Sequence, residues 1–284
     1  MKVSIITVVR NNEATIAHAI DSLLNQDYPN IEYIIVDGGS DDATVEIIKS
    51  YGKKINRFIS ESDRGMYDGM NKGLKLATGN IIGLLNSDDF YEHNRVISEV
   101  VEEFIHRKVE LIFGDIVFVN PQNLHQVIRY YSSAKFHPEL LSWGWIPAHT
   151  SCFLKREVYE KYGYFKTDYQ LAADYELLLR FIKIHQISYS YIPKVLVRMR
   201  PGGASNKNLL CRWISNQEIL KACGEHGIKT NFLKLLARYP AKIWENIYRN
   251  DTAVSPQPLA NSIPKFYNPY LTSNQITETS KIKH

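Results

Sequence analysis

Cysteine is scarce in this 284-residue chain. Cys152, Cys211 and Cys223 stand far apart, with no CxxC pair. An odd, scattered set of three excludes a disulfide framework and a cysteine-based zinc site, and fits a reduced, cytoplasmic setting. Glycine is missing from "TVVRNNEA", the segment that leaves the first apolar strand. This excludes a dinucleotide-binding GxGxxG turn and weighs against the glycine-rich triphosphate loop that a nucleotidyltransferase needs. No apolar run reaches the roughly 18 to 20 residues that cross a bilayer. The opening "MKVSIITVV" is short and has no small-residue cleavage site, so no signal peptide is expected. A net charge of +4 is too weak to indicate a nucleic-acid partner.

What is present is an ordinary globular composition, 44% hydrophobic, with a clear alternation of elements. Val3 to Val9 is a β-branched run that reads as a buried strand. Asn11 and Asn12 offer a cap for a helix over residues 13–26, with Ile16, Ile20, Leu23 and Leu24 on one face. A second strand over 31–36 ends in "DGGSDD". A helix over 44–51, a short strand over 57–61 and a helix over 66–77 follow, with Gly79 as its stop. The fourth strand covers 80–85. Strand and helix alternate, which predicts an α/β fold with a mainly parallel sheet flanked by helices. Ligands of such sheets bind outside the carboxyl ends of the strands. The segment 7–12, Asp37 and the pair Asp88–Asp89 all lie at such ends, so three polar clusters converge on one edge.

Beyond residue 90 the pattern changes. A helix is expected over 96–107, and strands over 111–119 and 127–131 as antiparallel additions. A helix over 169–184, a strand over 188–197 and a helix over 212–226 follow. Three regions result: 1–210 as the catalytic domain, 211–250 as a C-terminal helical region, and 251–284 as a loose tail rich in Pro, Ser, Asn and Thr.

The fourth strand ends in "NSDD". Two adjacent carboxylates are costly to bury without a partner, and magnesium or manganese suits hard oxygen ligands. The alternative is a turn or cap, which Asp and Asn also favour. The neighbouring polar strand ends favour the cation.

"SIITVVRNN", "YIIVDGGSDDAT", "SDRGMYDGMNKGLKLATGNIIGLLNSDD" and "AADYELLLR" occur in this order. Together they resemble a bacterial family-2 inverting glycosyltransferase of the GT-A fold, over roughly residues 1–205. The resemblance implies a Rossmann-like sheet with a C-terminal helical appendage, a nucleotide-diphosphate sugar donor and a divalent metal. It implies a metal-dependent transferase of the hexosyltransferase class that acts on a glycan or lipid-linked acceptor, in surface polysaccharide or O-antigen assembly. By position, Thr7 and Val9 would line the base pocket and Asp37 would contact the nucleoside. Asp63 and Arg64 would lie near the base or sugar, Asp88 at the ribose or donor sugar, and Asp89 on the metal. Asp174 would be the catalytic base. Many relatives carry two aspartates where this chain has Asp37–Gly38. A nucleotidyltransferase that makes the donor, and a non-catalytic carbohydrate-binding module, are the rival readings.

Inverting transfer needs a cation for the leaving diphosphate and a base for the acceptor hydroxyl, worth about 10²- to 10⁴-fold. Asp174 also suits a helix start on dipole grounds alone. In "RGMYDGMNKG", Tyr67, Asp68, Asn71 and Lys72 share one helix side. They form either a donor-site face, with Lys72 near the phosphates, or a solvated one. His149 is a candidate acceptor or donor contact, or a structural histidine. Arg198 and Arg200, before Gly202 and Gly203, form either a flap over the diphosphate or a plain loop. Residues 232–249 interleave aromatics and basic residues. They suit the inner face of the cytoplasmic membrane or a protein partner. Oligomeric state is left open.

Overall fold

The computed structural model describes residues 1–202 and 209–237. The sequence alternates as expected through β1 (Val3–Val9), α1 (Ile16–Leu24), β2 (Ile31–Asp37), α2 (Thr44–Ser50), β3 (Arg57–Ser60), α3 (Met66–Leu76) and β4 (Ile81–Leu84). Then come β5 (Phe90–Tyr91), α4 (Val96–Arg107), β6 (Leu111–Asn120), β7 (Asn123–Tyr131), β8 (Phe153–Lys155), α5 (Arg156–Tyr162), α6 (Ala173–Leu178), β9 (Tyr189–Met199) and α7 (Leu209–Glu225).

The strands form one sheet in the order β3-β2-β1-β4-β8-β6-β9-β5, with β7 paired to β6. The first four are parallel, so their carboxyl ends share an edge. β7 pairs antiparallel with β6, as the sequence predicted, and β8, a strand the sequence reading did not give, is also antiparallel to β6. β6 and β9, however, run parallel to each other.

Side chains alternate across a strand, and both faces of this sheet are covered. Val3, Ile5 and Val9 of β1 pack with Ile16, Ile20 and Leu23 of α1 on one face. Ile6, with Val8 beside it, packs with Tyr67, Met70 and Leu74 of α3 on the other. The helix α3 lies unusually close to β1. A Cβ at Gly69 would sit 2.7 Å from Val8 Cγ1, and one at Gly73 would collide with Ile6. Glycine at both positions is what allows that approach.

Three differences from the sequence reading have a visible cause. α1 begins at Ile16, not at 13, because Asn11 is left-handed (φ 49°) and both asparagines tie loops together instead of capping. Gly79 lies beyond the end of α3. A Cβ there would be 2.6 Å from the Ser4 nitrogen, so this glycine serves close packing on β1. The helix expected from 169 starts at Ala173 and widens into a π-type turn over Leu179–Ile184. Residues 170–172 precede it because their N–H groups all point to Glu218 of α7, at 2.6, 2.9 and 2.8 Å. α7 also buries Ile219, Ala222 and Cys223 in the main core. The expected tail, most of the 232–249 segment, and Gly203 lie outside the described residues.

Candidate active site

Three loops meet at the shared carboxyl edge, and each is fixed by hydrogen bonds to the next. Asn12 Nδ2 donates to Ser87 Oγ (2.7 Å), and the Thr15 hydroxyl to the Ser87 carbonyl (3.0 Å). The Asn11 N–H donates to Ser40 Oγ (2.8 Å), and Asp41 N–H returns to Asn11 Oδ1 (2.9 Å). The loop after β4 is therefore held on a rigid base.

Asp88 and Asp89 stand in that loop. Asp89 is fully buried. Its Oδ2 accepts from Asn86 Nδ2 (2.9 Å), while Oδ1 is buried without a partner among the described residues. Burial, and then the charge of Asp88, push the Asp89 carboxyl well above the usual carboxylate range. Burial also raises Asp88, with Arg200 opposing. Such an orphaned buried carboxylate oxygen calls for a missing partner, and a second carboxylate beside it makes a cation the fitting one. The pair suits a hard divalent ion on chemical grounds.

Arg200 reaches this pair from just past β9. Its Nη1 donates to the Asp88 main-chain carbonyl, and its Nη2 lies 3.1 Å from His18 Nδ1. The guanidinium also rests over Phe90, 5.2 Å from the ring centroid, and His18 meets the same ring edge-on at 4.3 Å. Burial, and then Arg200, lower the His18 pKa, which favours the neutral ring as acceptor. Sequence reasoning missed His18, because on α1 it reads as one polar position of an amphipathic helix.

The two arginines of the expected flap part company. Arg198 is committed to Glu92 through Nε (2.6 Å) and Nη2 (2.7 Å), and to the Leu124 carbonyl (2.9 Å). It braces β9 and leaves Arg200 as the one of the two beside the acid pair.

The donor-binding expectations also separate. Asp37 is fully buried and accepts from the Gly39 and Ser40 N–H groups (3.2 and 3.1 Å) and from the Ser40 and Ser60 hydroxyls. Its oxygens shape the loop. Thr7 is buried with its hydroxyl 3.2 Å from Tyr33 Oη, and Val9 is buried in the α1 face of the core. Val8, between them, faces Gly69 beside Asp63. Asp63 Oδ1 accepts from the Gly65 N–H (3.0 Å), while Oδ2 lies against Gly38, where a Cβ would collide with it. The glycine after Asp37 is what admits the Asp63 carboxylate. Arg64 is largely exposed and 3.6 Å from Asp68. Lys72 bonds Glu61 (2.8 Å) and the Ser62 carbonyl (3.1 Å), so it fastens α3 to the end of β3 and is not turned to the Asp88–Asp89 loop.

Asp174 opens α6. Its Oδ1 accepts from the Tyr175 N–H (2.9 Å) and the Tyr67 hydroxyl (3.4 Å), and its Oδ2 lies 3.2 Å from His149 Nδ1. Both Asp174 and His149 remain partly exposed. Thr150, next to His149, donates to Met199 Sδ (3.6 Å), next to Arg200. The carboxylate of α6 and the acid pair of β4 are thus joined through one short structural path.

The parallel half-sheet, with an acid pair at the end of its fourth strand and a carboxylate on a later helix, has the architecture of the GT-A fold. The family model described as Glycosyl transferase family 2 matches residues 4–163, and the chain belongs to that family. Membership decides for sugar transfer over the nucleotidyltransferase and the carbohydrate-binding module.

A PGL/p-HBAD biosynthesis glycosyltransferase of Mycobacterium bovis is 27% identical over 72% of this chain and 78% of its own. Among solved structures, S. aureus TarS 1-349 in complex with UDP-GlcNAc shares the fold at a TM-score of 0.62 and 19% identity, over 78% of this chain. This chain spans 66% of that one, and 40% of a longer TarS chain. The mannosyltransferase PcManGT of Pyrobaculum calidifontis, in complex with GDP-Man and Mn2+, matches at a TM-score of 0.60 and 20% identity, over 90% of this chain and 76% of its own.

Proposed function

We propose that this protein moves a sugar from a nucleotide-diphosphate donor to a hydroxyl of a glycan or lipid-linked acceptor, with inversion, in the assembly of a bacterial surface polysaccharide. The observation that carries the reading is the orphaned, buried Oδ1 of Asp89 beside Asp88 and Arg200. Solved relatives of the same fold hold UDP-GlcNAc, or GDP-Man with Mn2+, which supports a donor of this class.

In this reading Asp89 holds magnesium or manganese and Asp88 faces the ribose or donor sugar. When bound, such an ion offsets the charge that develops on the leaving diphosphate. Arg200, already at the acid pair, meets the diphosphate oxygens as a charged, multi-donor group. The Val8–Gly38–Asp63 corner takes the nucleoside. Asp174 supplies the basic carboxylate on the acceptor side, where a positioned base is worth about 10²- to 10⁴-fold. No covalent intermediate is needed, because one displacement inverts the anomeric carbon.

Among the described residues no helix is long and apolar enough to cross a membrane. Leu209, Leu210, Trp213 and Leu233 are exposed apolar side chains of the C-terminal part. They support peripheral contact with a membrane surface that carries a lipid-linked acceptor.

The test is a thermal-shift screen of UDP- and GDP-sugars with and without manganese, followed by a transfer assay on lipid-linked acceptors. A donor that stabilises the protein only with the ion, and whose sugar is transferred, is the expected result. Absence of ion-dependent stabilisation by every donor would sink the proposal.

A further inference from the structure

We infer that His149 is a catalytic residue: its Nε2 takes the proton of the acceptor hydroxyl, and Asp174 acts through it. The inference rests on the reading of Asp174 as the acceptor-side carboxylate and says how that carboxylate works.

The Asp174 carboxylate is already surrounded by donors. The Tyr175 N–H and the Tyr67 hydroxyl address Oδ1, and His149 Nδ1 faces Oδ2. These contacts occupy the carboxylate on the sides that the two donors and the ring address. The His149–Asp174 contact is not an aligned hydrogen bond; turned into line, Nδ1–H would meet Oδ2 and leave the ring's lone pair on Nε2. That is the logic by which a carboxylate orients an imidazole base and stabilises the imidazolium that forms. His149 Nε2 has no hydrogen-bond partner among the described residues, and the ring remains partly exposed. The 3.2 Å separation of Nδ1 and Oδ2 is within the looseness expected of a catalytic pair before substrate binds.

The backbone under His149 is unusually well fixed for a loop. His149–Ser151 is a tight turn in which the Cys152 N–H returns to the His149 carbonyl (3.0 Å). Ser151 is fully buried, and its hydroxyl is shared between the carbonyls of Gly114 (2.9 Å) and Ala148 (2.8 Å). Thr150 is buried against Met199. A structural histidine on the surface needs no such platform, whereas a base held to within tenths of an ångström does.

The groups facing the pair from neighbouring elements do not compete for the proton. Tyr67 of α3 is buried, and burial and then Asp174 raise its pKa far above neutrality, so it stays a donor. Burial, and then Asp174, likewise keep the Cys152 thiol protonated. Glu218 of α7 is engaged by three main-chain N–H groups.

The step balances without a further reagent. The acceptor O–H bond breaks and its proton goes to Nε2. The freed oxygen pair forms the bond to the anomeric carbon as the bond from that carbon to the diphosphate oxygen breaks. The leaving pair departs with the nucleoside diphosphate, and the imidazolium later returns its proton to water.

The experiment compares His149→Gln, His149→Ala and Asp174→Asn in the full chain. His149→Gln should lower kcat by about 10²-fold or more with donor KM unchanged, and move the acid limb of the pH–kcat profile to lower pH. Added imidazole should restore turnover to His149→Ala, with rates that follow the basicity of substituted imidazoles. Wild-type kcat in His149→Gln, or a loss with neither imidazole rescue nor a shifted limb, overturns the inference and leaves Asp174 as the sole base. Wild-type kcat in Asp174→Asn overturns the parent reading of that carboxylate instead.

Discussion

The Arg200 guanidinium donates to the main-chain carbonyl of Asp88, 112 positions earlier in the chain. One cation from the end of β9 thereby stands against the acid pair that ends β4, while its neighbour Arg198 is locked to Glu92. The two residues predict opposite phenotypes. Arg200→Ala should raise donor KM about tenfold or more, as expected for the loss of a charge-assisted contact to a diphosphate, with little change in melting temperature. Arg198→Ala should leave donor KM near wild type and lower the melting temperature by several degrees. Steady-state kinetics and calorimetry on the two variants check this.

The proposed metal role of Asp89 would link ion binding to stability and pH. Its folded-state carboxyl is raised above the unfolded value by burial and by Asp88. The folded protein therefore holds more protons than the unfolded chain across that interval. Metal-free stability should fall as pH rises through the ordinary carboxylate range toward the raised value. A bound cation reverses the effect, so manganese affinity should tighten with pH, with proton release detectable by calorimetry in two buffers of different ionisation enthalpy. Asp89→Asn should melt about 2–4 °C higher than wild type without metal, for a recovered ~1 kcal/mol. It should also lose its response to manganese.

Asp174→Asn keeps the shape of the side chain and removes its charge. Donor binding, read by thermal shift with manganese, should be unchanged. The single-turnover rate should fall by about 10²- to 10⁴-fold. A purely structural role for Asp174 would instead show as a lower melting temperature with the rate preserved.

Gly38 is a steric gate for Asp63. A Cβ at this position meets the Asp63 carboxylate, the free end of a partly exposed side chain, so Gly38→Ala should turn that carboxylate aside at little cost in stability and raise donor KM. The double variant Gly38→Ala/Asp63→Ala should bind donor no better than Gly38→Ala. Chemical denaturation and donor titration of the three proteins form the test.

The half-sheet was legible from the sequence because its strands are continuous apolar runs that the alternating helices bury on both faces. The acid pair, Asp174 and Arg200 were legible as positions in motifs. Side-chain direction was not. Thr7 and Val9 share one face of β1, so period two places them against α1, whereas Val8 is turned toward Asp63. Asp37 stood at the right strand end, yet the hydroxyls of Ser40 and Ser60 draw its oxygens inward. His18 and His149 gain their partners from residues 182 and 25 positions away respectively, which no local pattern encodes.

Glu218 gathers the N–H groups of residues 170–172 into one carboxylate just ahead of Asp174. A shortened version ending near residue 205 would retain every recognisable motif and still lose the clasp that sets where α6 begins. The minimal working enzyme is therefore longer than its motifs. Through Glu218, α7 takes part in setting where Asp174 stands.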